Sequence, residues 1–342
     1  MKKFLQKLLE NDVKINNFSS DKQIINQGLA PLISTIKTST TIQKANLLEQ
    51  SKYLRWQEKA LDFFQLLNQN NIKFIVFKGF AYSFILYDKC HIRPYSDIDI
   101  FIQESDYSKV EKILKDLHYS KMSSRQGKFI SFQNSFYDNN NPPTTLDIHW
   151  QINNRIEIHQ HFQFSTIYTN TSNIKDEVFD FKTLNIIDAF ILACFHYQAH
   201  RPNHRKHIWL YDLALLWYRM NSEAQEKCIK IAKQKNTSQL VKNILIQLQE
   251  TFPNCLNINL KIEYVNENSQ NYLKQRNKKI TDIQFRLQNI TGLKNKINYL
   301  SEYIFQSKDY VKKRYHVKSN IWVYLYYPRM WIEDILKLFK NQ

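Results

Sequence analysis

The spacing of apolar and polar positions changes its period twice along the chain. Over residues 1–70 it is helical. In TIQKANLLEQSKYLRWQEKALDFFQLLNQNN, Leu47, Leu48, Leu54, Leu61, Phe64 and Leu67 are spaced to line one helix face, and the polar run at 68–71 is a stop signal. The period then shortens. KFIVF predicts a strand, GFAYSFILY a helix opening at Gly79, and DIDIFI a second strand. ESDYSKVEKILKDLHY follows with a helical stripe of Val110, Ile113, Leu114 and Leu117. Two further extended pieces, KFISFQNSFYD and TTLDIHWQI, are separated by the turn-rich NNNPP. From about residue 156 the pattern is mostly helical again, through IIDAFILACFHYQAH, HIWLYDLALLWYRM, AQEKCIKIAKQK, LVKNILIQLQETF, QNYLKQRNKKITDIQFRLQNI and MWIEDILKLFK. The predicted fold class is therefore α+β. A small mixed sheet at 71–155 is flanked by an N-terminal helical region, 1–70, and a larger C-terminal helical region, 156–342.

A length of 342 residues allows one large domain or two to three modest ones. Hydrophobic residues make up 43% of the chain, with only 4 glycines and 7 prolines, which excludes a turn-rich all-β fold or long flexible linkers. The net charge of +17 concentrates anions around the molecule: nucleotides, nucleic acid, anionic lipid heads or acidic sugars. Cys90, Cys194, Cys228 and Cys255 are scattered, with no C-x-x-C pair, which predicts reduced thiols in a cytoplasmic protein. No run approaches the ~20 apolar residues that span a bilayer. The opening MKKFLQKLLENDVK has charges inside its apolar stretch and reads as an amphipathic helix, not a signal peptide.

Chemistry concentrates in FIVFKGFAYSFILYDKCHIRPYSDIDIF, residues 74–101. In a strand, residues i and i+2 share a face, so Asp97 and Asp99 project together while Ile98 and Ile100 point the other way. TTLDIHWQI repeats the device, with Leu146, Ile148 and Trp150 on one face and Asp147 and His149 on the other. On neighbouring strands, Asp97, Asp99 and Asp147 would converge. Unpaired carboxylates held together repel, and a divalent cation removes that penalty. Hard oxygen ligands of this kind suit Mg²⁺, which takes one or two carboxylates plus substrate phosphates. Gly79 would let a phosphate approach the backbone at the start of a helix.

This set of residues resembles the nucleotidyltransferase superfamily of the DNA polymerase β type. More narrowly, it resembles a bacterial family of uncharacterised nucleotidyltransferases with the pattern K-G, then Tyr, then R-P-x-x-D-x-D, then D-x-H-W. Those residues stand here as Lys78-Gly79, Tyr87, Arg93-Pro94, Asp97, Asp99 and Asp147-Ile148-His149-Trp150. His196 in FHYQAH and Asp212 in WLYDLALL are similar to the family's helical half. The resemblance covers about residues 55–220, with weaker echoes in YYPRMW. The superfamily's usual Gly-Ser or Gly-Gly is replaced by Gly79-Phe80, leaving Ser83 or Ser96 to supply a hydroxyl.

The resemblance implies transfer of a nucleoside monophosphate from an NTP to a hydroxyl or phosphate of an acceptor: a sugar or polysaccharide precursor, a peptide or a small molecule. Two metal ions about 4 Å apart would clamp the attacking and leaving oxygens. Asp97 and Asp99 would be metal ligands, and Asp147 would hold the second ion or help deprotonate the acceptor. Lys78 and Arg93 would neutralise the triphosphate. Ser96, His149 and His196 complete the expected substrate-binding set. Two alternatives stand beside this reading, an RNA- or tRNA-directed (toxin-like) transferase and a non-catalytic nucleotide-binding module.

His196, His200, His204 and His207 also invite a zinc reading, but Pro202 interrupts the helix between the pairs and no H-E-x-x-H occurs. The tail YVKKRYHVKSNIWVYLYYPRMW interleaves basic and aromatic residues. Such a pattern can stack bases, lie at a membrane interface or pack on a core.

Overall fold

The computed structural model describes residues 2–15, 18, 20–37, 39–122, 127, 129–153, 161–256, 258, 283–284, 286–288 and 290–339. The helix expected over 270–290 lies mostly outside them. The chain divides into two compact units, Met1–Ile100 with Tyr168–Asn271, and Phe101–Ile167 with Tyr272–Gln342.

The first unit begins with α1 (Lys2–Glu10), α2 (Asp21–Asn26), α3 (Ala30–Ile33) and the long α4 (Thr40–Gln69). The buried face of α4 is Ile42, Trp56, Ala60, Phe63, Phe64 and Leu67. The expected face is thus corrected at its N-terminal end, where Leu47, Leu48 and Leu54 are exposed. At about 100° per residue, Leu47 and Leu54 fall opposite Trp56 and Phe63. The bulky aromatics, which bury more apolar area, decide which side faces inward.

After α4 come β1 (Phe74–Phe77) and α5 (Lys78–Leu86), then the start of β2 (Ile98–Ile102). Further along, β6 (Ser172–Lys175) and β7 (Asp180–Thr183) form a hairpin, closed by the Asp176 carboxylate accepting from the backbone N–H groups of Val178 and Phe179. This hairpin lies within the stretch read as helical. Each strand has four residues, and β6 is largely solvent-facing, so no alternation marks it. β7 pairs in parallel with β1, Val76 opposite Thr183. Behind them Phe64, Phe74, Phe80, Phe179 and Phe181 pack ring to ring, with centroids 5.1–6.1 Å apart. Among the described residues of the unit, the helices α8 (Ile186–Ala199), α9 (Ile208–Arg219), α10 (Ser222–Gln234) and α11 (Ser238–Thr251) follow.

In the second unit, α6 (Tyr107–Asp116) buries Val110, Ile113 and Leu114, most of its expected stripe. β3 (Ser120–Lys121), β4 (Gln133–Tyr137) and β5 (Thr145–His149) follow, joined by antiparallel pairing with Ser135 opposite Asp147. The short α7 (Phe164–Thr169) ends at the division between the units. Toward the C-terminus come α12 (Leu293–Ile304), α13 (Lys308–Tyr315) and α14 (Val323–Phe339). The strand order is β3-β4-β5-β2-β1-β7-β6, and β2 is the strand at which the units divide. The fold is α+β, with a mixed sheet, as the sequence predicts. Among the described residues no helix is long and apolar enough to cross a membrane.

Candidate active site

β1 ends on Phe77, and the chain turns at once into α5. Lys78 makes that turn in the left-handed region, at φ +57°, where an L-residue is strained. The turn sends its side chain back to the sheet, where Nζ donates to Asp99 Oδ1 at 2.6 Å. Asp99 is 4% exposed on β2. Asp97, immediately before β2, is half-buried and accepts from the exposed Ser96 hydroxyl at 3.2 Å.

Gly79 is buried, and its lack of a side chain serves close packing. A Cβ there would meet Arg93 Nη1 at 2.8 Å and Tyr95 Cβ at 3.0 Å. The glycine thus admits the Arg93–Tyr95 loop against α5. The Arg93 guanidinium grips Asp212 on α9, with Nη2 to Oδ2 at 2.6 Å and Nε to both carboxylate oxygens at 3.1 and 3.2 Å. Its Nη1 donates to the Pro94 carbonyl. Tyr87 donates its hydroxyl to Asp212 Oδ1 at 2.9 Å. Burial pulls the Arg93 pKa down, but the Asp212 carboxylate overrides it, so the guanidinium is held charged. Burial, then Asp212, pushes the Tyr87 phenol well above its ordinary value. Arg93, placed by sequence toward a triphosphate, thus has its donors turned onto Asp212 and the Pro94 carbonyl.

His196, on α8, belongs to a ring trio with His200 and Trp209, with centroids 4.5–4.8 Å apart. Burial, then the positive charges of Lys78 and His200, holds its pKa well below the ordinary histidine value. It is a neutral imidazole at pH 7 in the neighbourhood of Lys78 and Asp99. The other histidines of that run disperse. His204 is exposed, and His207 Nε2 meets Asp12 Oδ2 at 2.5 Å, beside the Tyr211 hydroxyl.

Sequence reasoning missed Lys52. It rises from α4, donates to the Tyr95 carbonyl and lies over the Trp56 and Tyr95 rings at 5.2 and 5.6 Å. Burial lowers its pKa, against the pull of Glu49; Lys206 lowers it further and Asp97 raises it. Nothing local marks it, because a lysine on a mostly polar helix reads as solvated.

In the second unit, Asp147 and His149 occupy alternate positions of β5, on one face. Both are buried, Asp147 at 8% and His149 at 1% exposure. Gln133 Nε2, on β4, donates to Asp147 Oδ2 at 3.2 Å, while the buried Oδ1 has no hydrogen-bond partner among the described residues. Trp150, next along the chain, packs edge-on against Tyr107 at 4.9 Å.

Comparison with known proteins places these residues in a family. A family model described as an uncharacterised nucleotidyltransferase matches residues 33–253, close to two-thirds of the chain. The chain belongs to that family. The reaction class comes with it: the chain is a nucleotidyltransferase, a transferase of phosphorus-containing groups. No curated protein matches it in sequence. Among solved structures, it is similar to the lincosamide antibiotic adenylyltransferase LnuA in its lincomycin-bound form, at 12% identity and a TM-score of 0.32, covering 46% of this chain and 94% of that one. It is also similar to the antibiotic-resistance factor ANT(2'')-Ia, at 11% identity and a TM-score of 0.38, covering 53% and 92%. A third is an antigenic nucleotidyltransferase-like protein from Paracoccidioides brasiliensis, at 13% identity and a TM-score of 0.40, covering 58% and 88%.

Proposed function

We propose that this member of the family is a divalent-metal-dependent nucleotidyltransferase, moving a nucleoside monophosphate from an NTP to a hydroxyl or phosphate of a separate acceptor. In that reaction the acceptor oxygen bonds to the α-phosphorus, the bond from that phosphorus to the β-phosphate bridge breaks, and pyrophosphate leaves.

The observation that carries the reading is Asp147. A buried carboxylate oxygen with no donor costs several kcal/mol unless a cation meets it. Asp147 and His149, both buried on one face of β5, each offer a ligand atom to such an ion. With Asp97 and Asp99 assigned to the same ion, the donors would be predominantly oxygen, which suits Mg²⁺ or Mn²⁺. A bound divalent ion would neutralise phosphate charge and favour the deprotonated acceptor hydroxyl.

The chain's own groups would do the rest. The Lys78 ammonium holds Asp99 until nucleotide arrives and then meets the triphosphate. Lys52, beside Asp97, adds a second positive charge for the same phosphates. Ser96 orients the Asp97 carboxylate. His196, being neutral, gives a hydrogen bond to nucleotide or acceptor without adding charge. Arg93 acts as a positioning residue, locking the loop that carries Ser96 and Asp97 to α9.

Titration with Mn²⁺, followed by electron paramagnetic resonance, tests the ligand set. Binding by the wild type that is lost in Asp99→Asn and in Asp147→Asn supports it. Wild type that binds no Mn²⁺, or variants that bind it unchanged, contradicts it.

A further inference from the structure

The C-terminal helices of the second unit leave apolar surface uncovered in an ordered way. On α12, Leu293, Ile297, Leu300 and Ile304 are exposed. Their spacing of 4, 3 and 4 residues puts them on one narrow stripe of the helix. On α14, Leu325, Ile332 and Leu336 are exposed with the same periodicity, preceded by Ile321 at 78% and Trp322 at 60% exposure. The two elements touch at the C-terminal end of the α12 stripe and midway along the α14 stripe. Phe305 packs edge-on against Trp331 at 5.7 Å, and Trp331 Nε1 donates to the Ile304 carbonyl at 2.6 Å.

This surface does not lack an inside. Val311, Val323 and Met330 form a small buried core with Tyr310, Tyr315, Tyr326 and Tyr327 packed around it. The exposed aliphatic side chains of α12 and α14 take no part in that core. Their surroundings are basic. Residues 290–336 carry eight Lys and Arg against four Asp and Glu, and Glu333 and Asp334 are already paired with Arg314. Between α13 and α14, Val317, Trp322 and Leu325 floor a cavity of about 460 Å³ that His316, Lys318 and Arg329 also line. An apolar floor beside cationic groups fits an acyl chain beneath a phosphate.

We propose that α12, α14 and the 317–322 segment form a surface that docks onto an anionic phospholipid bilayer. Exposed Leu and Ile beside Trp322 and Tyr324, flanked by Lys294, Lys313 and Lys318, is the arrangement of a helix lying in the headgroup boundary. Lysines near such a surface add to its attraction for anionic lipid and are screened by salt. Aliphatic residues favour lipid over single-stranded RNA, which is held by aromatic stacking and phosphate contacts. The proposal is independent of the transfer chemistry.

Co-sedimentation of the full chain with vesicles tests it, comparing phosphatidylcholine alone with phosphatidylcholine plus phosphatidylglycerol. The expected result is pelleting with the anionic vesicles, weakened by salt and reduced about tenfold in Ile321→Ser/Trp322→Ser/Leu325→Ser. Lys313→Glu/Lys318→Glu should lose anionic-vesicle binding as well while keeping the apolar stripe. Circular dichroism and thermal melting check that each variant is folded, and the charge variant keeps the test decisive if the apolar one is not. Folded wild type that ignores anionic vesicles overturns the proposal, as do variants that bind like wild type. Capture of a short single-stranded RNA in place of vesicles, or a dimer abolished by the apolar variant, would give the face to another occupant and equally overturn it.

Discussion

Arg93 and Asp212 lie 119 residues apart in sequence and meet as a buried ion pair, with Arg93 Nη2 2.6 Å from Asp212 Oδ2. The pair fastens the Arg93–Tyr95 loop, and with it Ser96 and Asp97, to α9. The arginine expected as a candidate to neutralise a triphosphate is thus held on Asp212.

Breaking the clamp on one side should be severe. Arg93→Met leaves the Asp212 carboxylate buried and uncompensated, so a loss of about 3–5 kcal/mol is expected in urea denaturation. Replacing both partners together, with Arg93→Met/Asp212→Leu, should recover much of that stability. Recovery of stability without recovery of nucleotide binding would separate positioning from folding.

Gly79→Ala should cost about 1–3 kcal/mol, since its Cβ would run into the Arg93 guanidinium and Tyr95. Gly79→Ala in an Arg93→Met background should cost less, because the guanidinium atom in the way is gone. Thermal denaturation of the single and double variants measures that coupling.

Lys78 combines a strained backbone with a side chain held on Asp99. Lys78→Gly removes the penalty at φ +57° together with the ammonium. Nucleotide affinity should fall about tenfold or more, as expected for loss of a charge-assisted contact. Lys78→Ala keeps the backbone strain and should therefore melt lower than Lys78→Gly, while the two lose equal affinity.

His196 gives the pH dependence its sign. Its pKa in the folded chain lies well below the ordinary 6.5, through burial first and the charges of Lys78 and His200 next. Below about pH 6.5 the unfolded chain binds the proton and the folded chain does not, so stability falls as pH falls. It is level above that pH. His196→Asn should flatten this slope relative to wild type in thermal melts across the range.

What the sequence reveals follows from how local each signal is. The Asp147-x-His149 pair is legible because strand alternation alone puts both residues on one face of β5, whereas Asp97 stands just before β2 and only Asp99 lies within it. The Lys78-Gly79 turn is legible because a hydrophobic run ends there. The Arg93–Asp212 pair and the meeting of His207 with Asp12, 195 residues apart, are tertiary facts that no spacing encodes. Lys52 was invisible for the same reason, since only the Tyr95 carbonyl and the packed rings distinguish it from a solvated lysine. The β6–β7 hairpin escaped because four-residue strands at a sheet edge carry too little alternation to register. On α4, counting leucines misplaced the buried face, which the larger Trp56, Phe63 and Phe64 decide.

Asp97 and Asp99 are proposed to serve a metal-bound nucleotide. Calorimetric titration of the wild type and of Asp97→Asn/Asp99→Asn with ATP, GTP, CTP and UTP, with and without Mg²⁺, tests it most directly. Binding of at least one nucleotide that requires Mg²⁺ and disappears in the double variant is the predicted result. A well-folded wild type that binds none of the four, or a double variant that binds as the wild type does, would contradict it.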